Sequence, residues 1–395
     1  MEDVREVVIV SAARTPFGKF GGTLASLKAI DLGAAAMKGA LNKAALSADQ
    51  IEYTCMGQVL QGGSGQIPSR QAAHKAGIAW EVPSLTVNKV CASGMISVAT
   101  MAKLIMLGEV DAAVAGGMES MSNAPYYLPN ARWGQRMFNF DAVDGMVHDG
   151  LWCPFNDHHM AIYGSTAAKE FGVSREEQDD WAVASQQRAA AAMEAGRLDA
   201  EIIPVEVPQK KEKILFAKDE QPRANTTKES LAKLSPVFDK NGTVTAGNAP
   251  SVNDGAAALV IMSREKADEL GLKPLATFVG HAEVAMAPEL MAATPGHAIN
   301  KLLKKTGKSL SDIDLIEVNE AFAAVPLVSQ RVAGYDMEKV NVNGGAIAFG
   351  HPIGASGARI LTTLIYELRR RGGGHGMAAI CSGAAQGDAV LLRVE

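Results

Sequence analysis

Residues 90–105 read VCASGMISVATMAKLI, and residues 353–368 read IGASGARILTTLIYEL. Ala92, Ser93 and Gly94 of the first stretch match Ala355, Ser356 and Gly357 of the second, and each triplet opens a long apolar helical pattern. A glycine-bearing apolar run follows both, VDAAVAGG at 110–117 and MAAICSG at 377–383. A helix and a buried strand repeated in the same order predict two halves of one duplicated fold. Lys103 is the single charge within 92–107, and a helix apolar nearly all round cannot face water. The two related helices are therefore expected to pack together at the centre of the molecule.

Residues 4–12, 257–262 and 314–318 are further short apolar runs suited to strands covered on both faces, and 31–45 has helical spacing. Strand and helix alternate, which predicts an α/β fold. Between the halves the texture changes: NAPYYLPNARWG is rich in turn formers, Ser174 and Glu177 make a capping box at SREEQ, and QKKEKILFAKDEQPR is densely charged. The expected organisation is a first half over 1–118, completed by about 250–270, an inserted cap over 119–249, and a second half over 271–395.

A chain of 395 residues exceeds one ordinary core, and 39 glycines with only 5% aromatic residues suit layers that approach closely. Lys+Arg number 38 against 43 Asp+Glu, a net charge of −5, and no basic stripe follows any helix, which argues against a nucleic-acid partner. No apolar run reaches the roughly 20 residues of a membrane-spanning helix, so no membrane partner is expected. The opening MEDVREVVIVSAARTPFG has neither a signal nor a transit pattern, and the closing LLRVE is no peroxisomal address. Four cysteines without C-x-x-C spacing point to reduced thiols in the cytoplasm, with no disulfide framework and no metal site.

Reactive groups concentrate at four places: Cys91 in NKVCASG, Asn319 in VNEAF, His351 in FGHPIGASG and Cys381 in CSGAAQG. All four are expected at strand ends or strand-to-helix turns, which gather along one rim of a wound sheet. A thiol that opens a helix meets unpaired N–H groups and the positive end of the dipole, so Cys91 is expected to have a lowered pKa. For His158 and His159 a metal pair is the rival reading, but neighbouring side chains diverge and no third ligand follows at metal-site spacing. GGSGQ at 62–66 lacks both the Rossmann spacing and the P-loop lysine, and reads as a loop near a subunit contact.

In sequence order, NKVCASG, GNAPSVNDGAAA (247–258), VNEAFA (318–323), NVNGGAIAFGHPIGASGAR (341–359) and CSGAAQG (381–387) resemble the thiolase family of acyl-CoA acetyltransferases, over essentially the whole chain. The resemblance implies duplicated βαβαβαββ halves in a layered αβαβα arrangement with an inserted cap that binds coenzyme A. It implies acetyl-CoA, acetoacetyl-CoA and CoA as substrates and products, no further cofactor, and a homodimer or homotetramer. Cys91 would become acylated, His351 would take its proton, and Cys381 would move the α-proton. Asn319 would hold a water that stabilises the thioester oxygen with His351, and the N–H groups of Cys91 and Gly383 would form a second oxyanion hole. The resemblance further places His159, Met160 and Met291 beside the acyl group, Ser251 near the pantetheine chain and Arg223 near the nucleotide.

Three stretches depart from the family pattern. Ala384 and Ala385 stand after Gly383 where glycines are usual, Pro250 replaces a serine before Ser251, and MAATP at 291–295 replaces MGxGP. A broader-chain 3-ketoacyl-CoA thiolase and a non-catalytic acyl-CoA-binding relative remain as alternatives. A decarboxylating synthase of the same fold would carry a histidine in place of Asn319 and would lack Cys381.

Overall fold

Every residue of VVIVSAAR, AAVAGGMES and NDGAAALVIMS is buried, as strands covered on both faces require. The computed structural model describes residues 4–209 and 212–395, so Lys210 and Lys211 of the charged run lie outside it. The main strands are β1 (Val7–Arg14), β2 (Tyr53–Gly57), β3 (Ser84–Val87), β4 (Ala112–Ser120), β5 (Asn253–Ser263), β6 (Ala276–Ala285), β7 (Leu315–Val318), β8 (Gly374–Ser382) and β9 (Gln386–Val394). They run in the order β7-β8-β9-β6-β1-β5-β4-β2-β3.

Outward from the β1–β6 seam, the two sides repeat one pairing scheme. β1–β5 and β5–β4 are antiparallel and β4–β2 is parallel, while β6–β9 and β9–β8 are antiparallel and β8–β7 is parallel. The helices α1 (Ala29–Lys43), α2 (Ser93–Met106), α3 (Arg175–Glu194), α4 (Thr294–Thr306) and α5 (Ile353–Arg371) complete the frame. Val7, Ile9, Leu259, Ile261, Ile380 and Val390 face α2 and α5 in a shared core. Val8, Val10, Val260 and Met262 face α1, and Met377, Ala379 and Leu391 face α4. Layers therefore alternate helix, sheet, helix, sheet, helix.

The repeated triplet explains the centre. A Cβ on Gly94 would lie 2.9 Å from both Gly354 O and Ala358 N, and one on Gly357 would lie 2.5 Å from Met95 N. The two glycines let α2 and α5 cross backbone against backbone, and only Lys103 of α2 is exposed. Gly94→Ala is expected to destabilise the protein by roughly 1–3 kcal/mol, read as a lower urea midpoint, because neither helix can move away within a filled core. An unchanged midpoint would show that the crossing is loose.

The expected strands and helices are present, with boundaries moved by a few residues. β2, β6, β9 and α4 are among the additions; the apolar runs of β6 and β9 are broken by His281, Glu283 and Asp388. The link from β4 to β5 spans residues 121–252, whereas the matching link from β8 to β9 is Gly383–Ala385 alone. Buried Arg14 on β1 fastens this insertion: Nε donates to Glu201 at 2.6 Å and the guanidinium donates to both Asp219 oxygens at 2.7 and 2.8 Å. α3 starts at the Ser174–Glu177 capping box, as the sequence predicts. Among the described residues no helix is long and apolar enough to cross a membrane.

Candidate active site

Cys91 lies between β3 and α2, in a loop drawn tight by Ser93. Ser93 Oγ accepts the Lys89 N–H at 2.8 Å and donates to Val90 O at 2.6 Å, while Asn88 Oδ1 accepts the Val90 N–H at 2.9 Å. Val90 is held at φ +45°, a conformation that a β-branched residue keeps only where its surroundings enforce it.

His351 sits between the short helix Ala346–Phe349 and α5, so its turn joins two helices and not the expected strand and helix. Gly350 has φ +101°, and a Cβ there would stand 2.3 Å from Asn253 Cγ. That close approach lets Asn253 Oδ1 accept the His351 N–H at 3.0 Å. His351 Nδ1 is 2.6 Å from Ser356 Oγ, whose own hydrogen goes to Pro352 O at 3.0 Å. Oγ has no second hydrogen, so Nδ1 carries the imidazole proton and Nε2 keeps its lone pair. Burial, with a contribution from Arg359, pushes His351 down to about 3, which keeps the ring neutral at physiological pH. Nε2 is buried without a protein partner among the described residues. The two matched serines thus perform parallel tasks, Ser93 fixing the Cys91 loop and Ser356 fixing the His351 ring.

Cys381 is the penultimate residue of β8 and Gly383 opens the turn into β9. Ala384 and Ala385 take φ +60° and +49°, so the turn keeps a glycine-like backbone at two methyl-bearing positions. Gly383 closes on the Cys91 loop, since a Cβ there would stand 3.2 Å from a Val90 methyl, and the N–H groups of Gly383 and Cys91 favour the thiolate. They do not prevail. Burial pushes the Cys91 thiol up to about 12, correcting the expectation that the helix terminus lowers its pKa: loss of solvent outweighs two N–H groups. Burial likewise raises Cys381, and the neighbouring Cys91 adds to the shift.

A cavity of about 390 Å³ joins these groups, lined by Cys91, His351 and Cys381 together with His159, Met160, Ser251 and Met291. His159 stacks on Phe238 with centroids 3.8 Å apart, and burial pushes it down to about 4. His158 turns to Tyr163 instead, so the adjacent imidazoles diverge. Ser251 Oγ donates to Asn253 Oδ1 at 2.8 Å, which couples it to the residue that holds His351. Asn319 is not among the lining residues. It follows β7, donates its N–H to Ala379 O at 2.9 Å, and has both amide atoms buried without a protein partner among the described residues. Arg223 is exposed, outside the cavity.

Phe238 and Trp152 also line the cavity and have no distinguishing sequence signal, while Phe322 is the phenylalanine of the VNEAF motif. Glu119 had one, a carboxylate ending an apolar strand. It accepts N–H groups from Val59, Leu60 and Gly354 at 3.0, 3.1 and 2.9 Å and is pushed up to about 7 by burial.

A family model described as "Thiolase, N-terminal domain" matches residues 7–265, and "Thiolase, C-terminal domain" matches 272–394. The chain is 51% identical over 390 residues to an acetyl-CoA acetyltransferase of Pseudomonas aeruginosa, covering 98% of this chain and 99% of that one. It is 50% identical, with the same coverage, to the acetyl-CoA acetyltransferase of Escherichia coli K12. The crystal structure of the Bacillus anthracis acetyl-CoA acetyltransferase superposes with a TM-score of 0.98 at 39% identity, covering all of both chains. Both halves being matched and these relatives aligning nearly end to end, the chain belongs to the thiolase family.

Proposed function

We propose that this protein is an acetyl-CoA C-acetyltransferase that interconverts acetoacetyl-CoA plus CoA with two acetyl-CoA through an acetyl-Cys91 intermediate. The observation that carries this reading is a neutral thiol and a neutral imidazole with a bare Nε2 lining one largely apolar cavity, with a second thiol beside the first. Thiolysis starts from that resting state. Cys91 Sγ attacks the keto carbonyl as its proton passes to His351 Nε2, and the Cys91 and Asn319 neighbourhoods supply donors for the developing oxyanions. The bond between the carbonyl carbon and the α-carbon breaks, leaving acetyl-Cys91 and an enolate. Cys381, kept protonated by burial, gives the enolate its proton. The His351 proton then passes to the Cys381 thiolate, and CoA attacks acetyl-Cys91 with its thiol proton going to His351 and on to the departing Cys91 sulfur. Condensation is the same path reversed.

Coenzyme A is a substrate here, and the reading assigns no cofactor or metal. Arg223, exposed beyond the cavity, is suited to the nucleotide end of CoA. All four cysteines are free, which fits the reducing cytoplasm, and a homodimer or homotetramer is proposed by family likeness.

Met160, Met291 and Phe322 crowd the cavity, which favours a short acyl group over the broader-chain alternative. Acetoacetyl-CoA is expected to exceed a ten-carbon 3-ketoacyl-CoA in kcat/KM by roughly tenfold or more. Equal values in a chain-length series would replace this reading with the broader one, and no CoA-dependent loss of acetoacetyl-CoA would support a binding role only.

A further inference from the structure

Lys89 stands two residues before Cys91, and its ammonium meets a cluster from the other half of the molecule that is buried at His281 and Asp388 and half-exposed at Glu283. Nζ is 3.0 and 2.9 Å from the two Asp388 oxygens and 2.5 Å from Glu283 Oε2. Asp388 Oδ1 also meets His281 Nε2 at 2.8 Å. Asp388 is fully buried and the Lys89 side chain is only 12% exposed. Glu283 on β6 and Asp388 on β9 are direct cross-strand partners, and Asp388 pairs with Ile380, the neighbour of Cys381 on β8. His281, Glu283 and Asp388 bring ligand atoms within 4.8 Å of one another, an arrangement that calls for a cation. The Cys91 loop supplies it.

We propose that Lys89 is a positioning residue for acyl transfer: its ammonium clamps the Cys91 loop of the first half to the β6–β9 pair of the second, holding Cys91 against the Gly383 turn. Cys91 and Gly383 come from different halves, so no local backbone geometry fixes their separation. The left-handed Val90 between Lys89 and Cys91 needs an external hold, and its Asn88 and Ser93 contacts stay within the first half. The Lys89 ion pairs reach across to the second. Burial opposes the ammonium, but Asp388 and Glu283 outweigh it and keep Lys89 charged. Lys89 is absent from the cavity lining, so it acts through Cys91 and touches no substrate.

The kinetic part of the test rests on the acetyltransferase reading; the labelling part does not. Lys89→Met, Lys89→Arg, Asp388→Asn and the Lys89→Met/Asp388→Asn pair would be made in the full chain. Lys89→Met is expected to lower kcat per folded site roughly 10- to 100-fold while KM for acetoacetyl-CoA stays within about threefold. Iodoacetamide alkylation of Cys91, located by peptide mass, should slow in parallel, because a sulfur that loses an N–H donor is less readily a thiolate. Lys89→Arg should restore both rates to within about threefold, Asp388→Asn should reproduce the defect, and the pair should be no worse than Lys89→Met alone. Parent rates in Lys89→Met would overturn the proposal. So would a loss of activity accounted for entirely by a smaller folded fraction, or failure of both Lys89→Met and Asp388→Asn to fold. A parent protein that neither thiolyses nor acetylates would refute the acetyltransferase reading, and the alkylation rates would still decide the role of Lys89.

Discussion

Cys381→Ala is expected to acetylate Cys91 from acetyl-CoA at nearly the parent rate, yet to lose thiolysis and condensation by roughly 10³-fold or more. The two sulfurs line one cavity but have different tasks in the proposed mechanism. Attack on a thioester needs Cys91, the His351 lone pair and N–H donors, none of which Cys381 provides. Breaking or making the carbon–carbon bond needs a proton at the α-carbon, and removing a positioned acid or base typically costs about 10²- to 10⁴-fold. Single-turnover acetylation measured beside steady-state thiolysis checks the separation. If Cys381 were only a packed core thiol, its alanine variant would turn over close to normally.

His351→Ala should slow Cys91 acetylation by roughly 10²- to 10⁴-fold and change its pH dependence. In the parent protein Nε2 is an available base well above its depressed pKa of about 3, so acetylation should be nearly flat across neutral pH. Without that base, attack depends on the thiolate of a group pushed up to about 12. Below that value the thiolate fraction grows tenfold per pH unit, so the residual rate should climb with pH where the parent rate does not. A flat profile in the variant would mean that another group takes the proton.

The duplicated frame was legible because the A-S-G triplets are both a pattern and a mechanical device. Gly94 and Gly357 permit the helix crossing, and Ser93 and Ser356 anchor the two reactive loops. Cys91, His351 and Cys381 could be recognised from their motifs, since each occupies a chain junction. β6 and β9 escaped the reading because His281, Glu283 and Asp388 interrupt their apolar runs, and partners for those charges come from 190 or more residues away in one case and from an adjacent strand in the other. The acidity of Cys91 was misjudged for a related reason. The helix terminus is visible in sequence, but the closed cavity that strips water from the sulfur exists only once Met160, Phe322 and Ile353 arrive from three distant segments. The left-handed backbone at Ala384 and Ala385 could be anticipated only from the glycines that the family has there.

The central claim is that Cys91 alone carries the acyl group. Incubating the parent protein, Cys91→Ala and Cys381→Ala with acetyl-CoA, followed by intact mass and peptide mapping, tests it most directly. The account predicts one acetyl group on Cys91 in the parent and in Cys381→Ala, and none in Cys91→Ala. An acetyl group on Cys381, or one retained by Cys91→Ala, would contradict it.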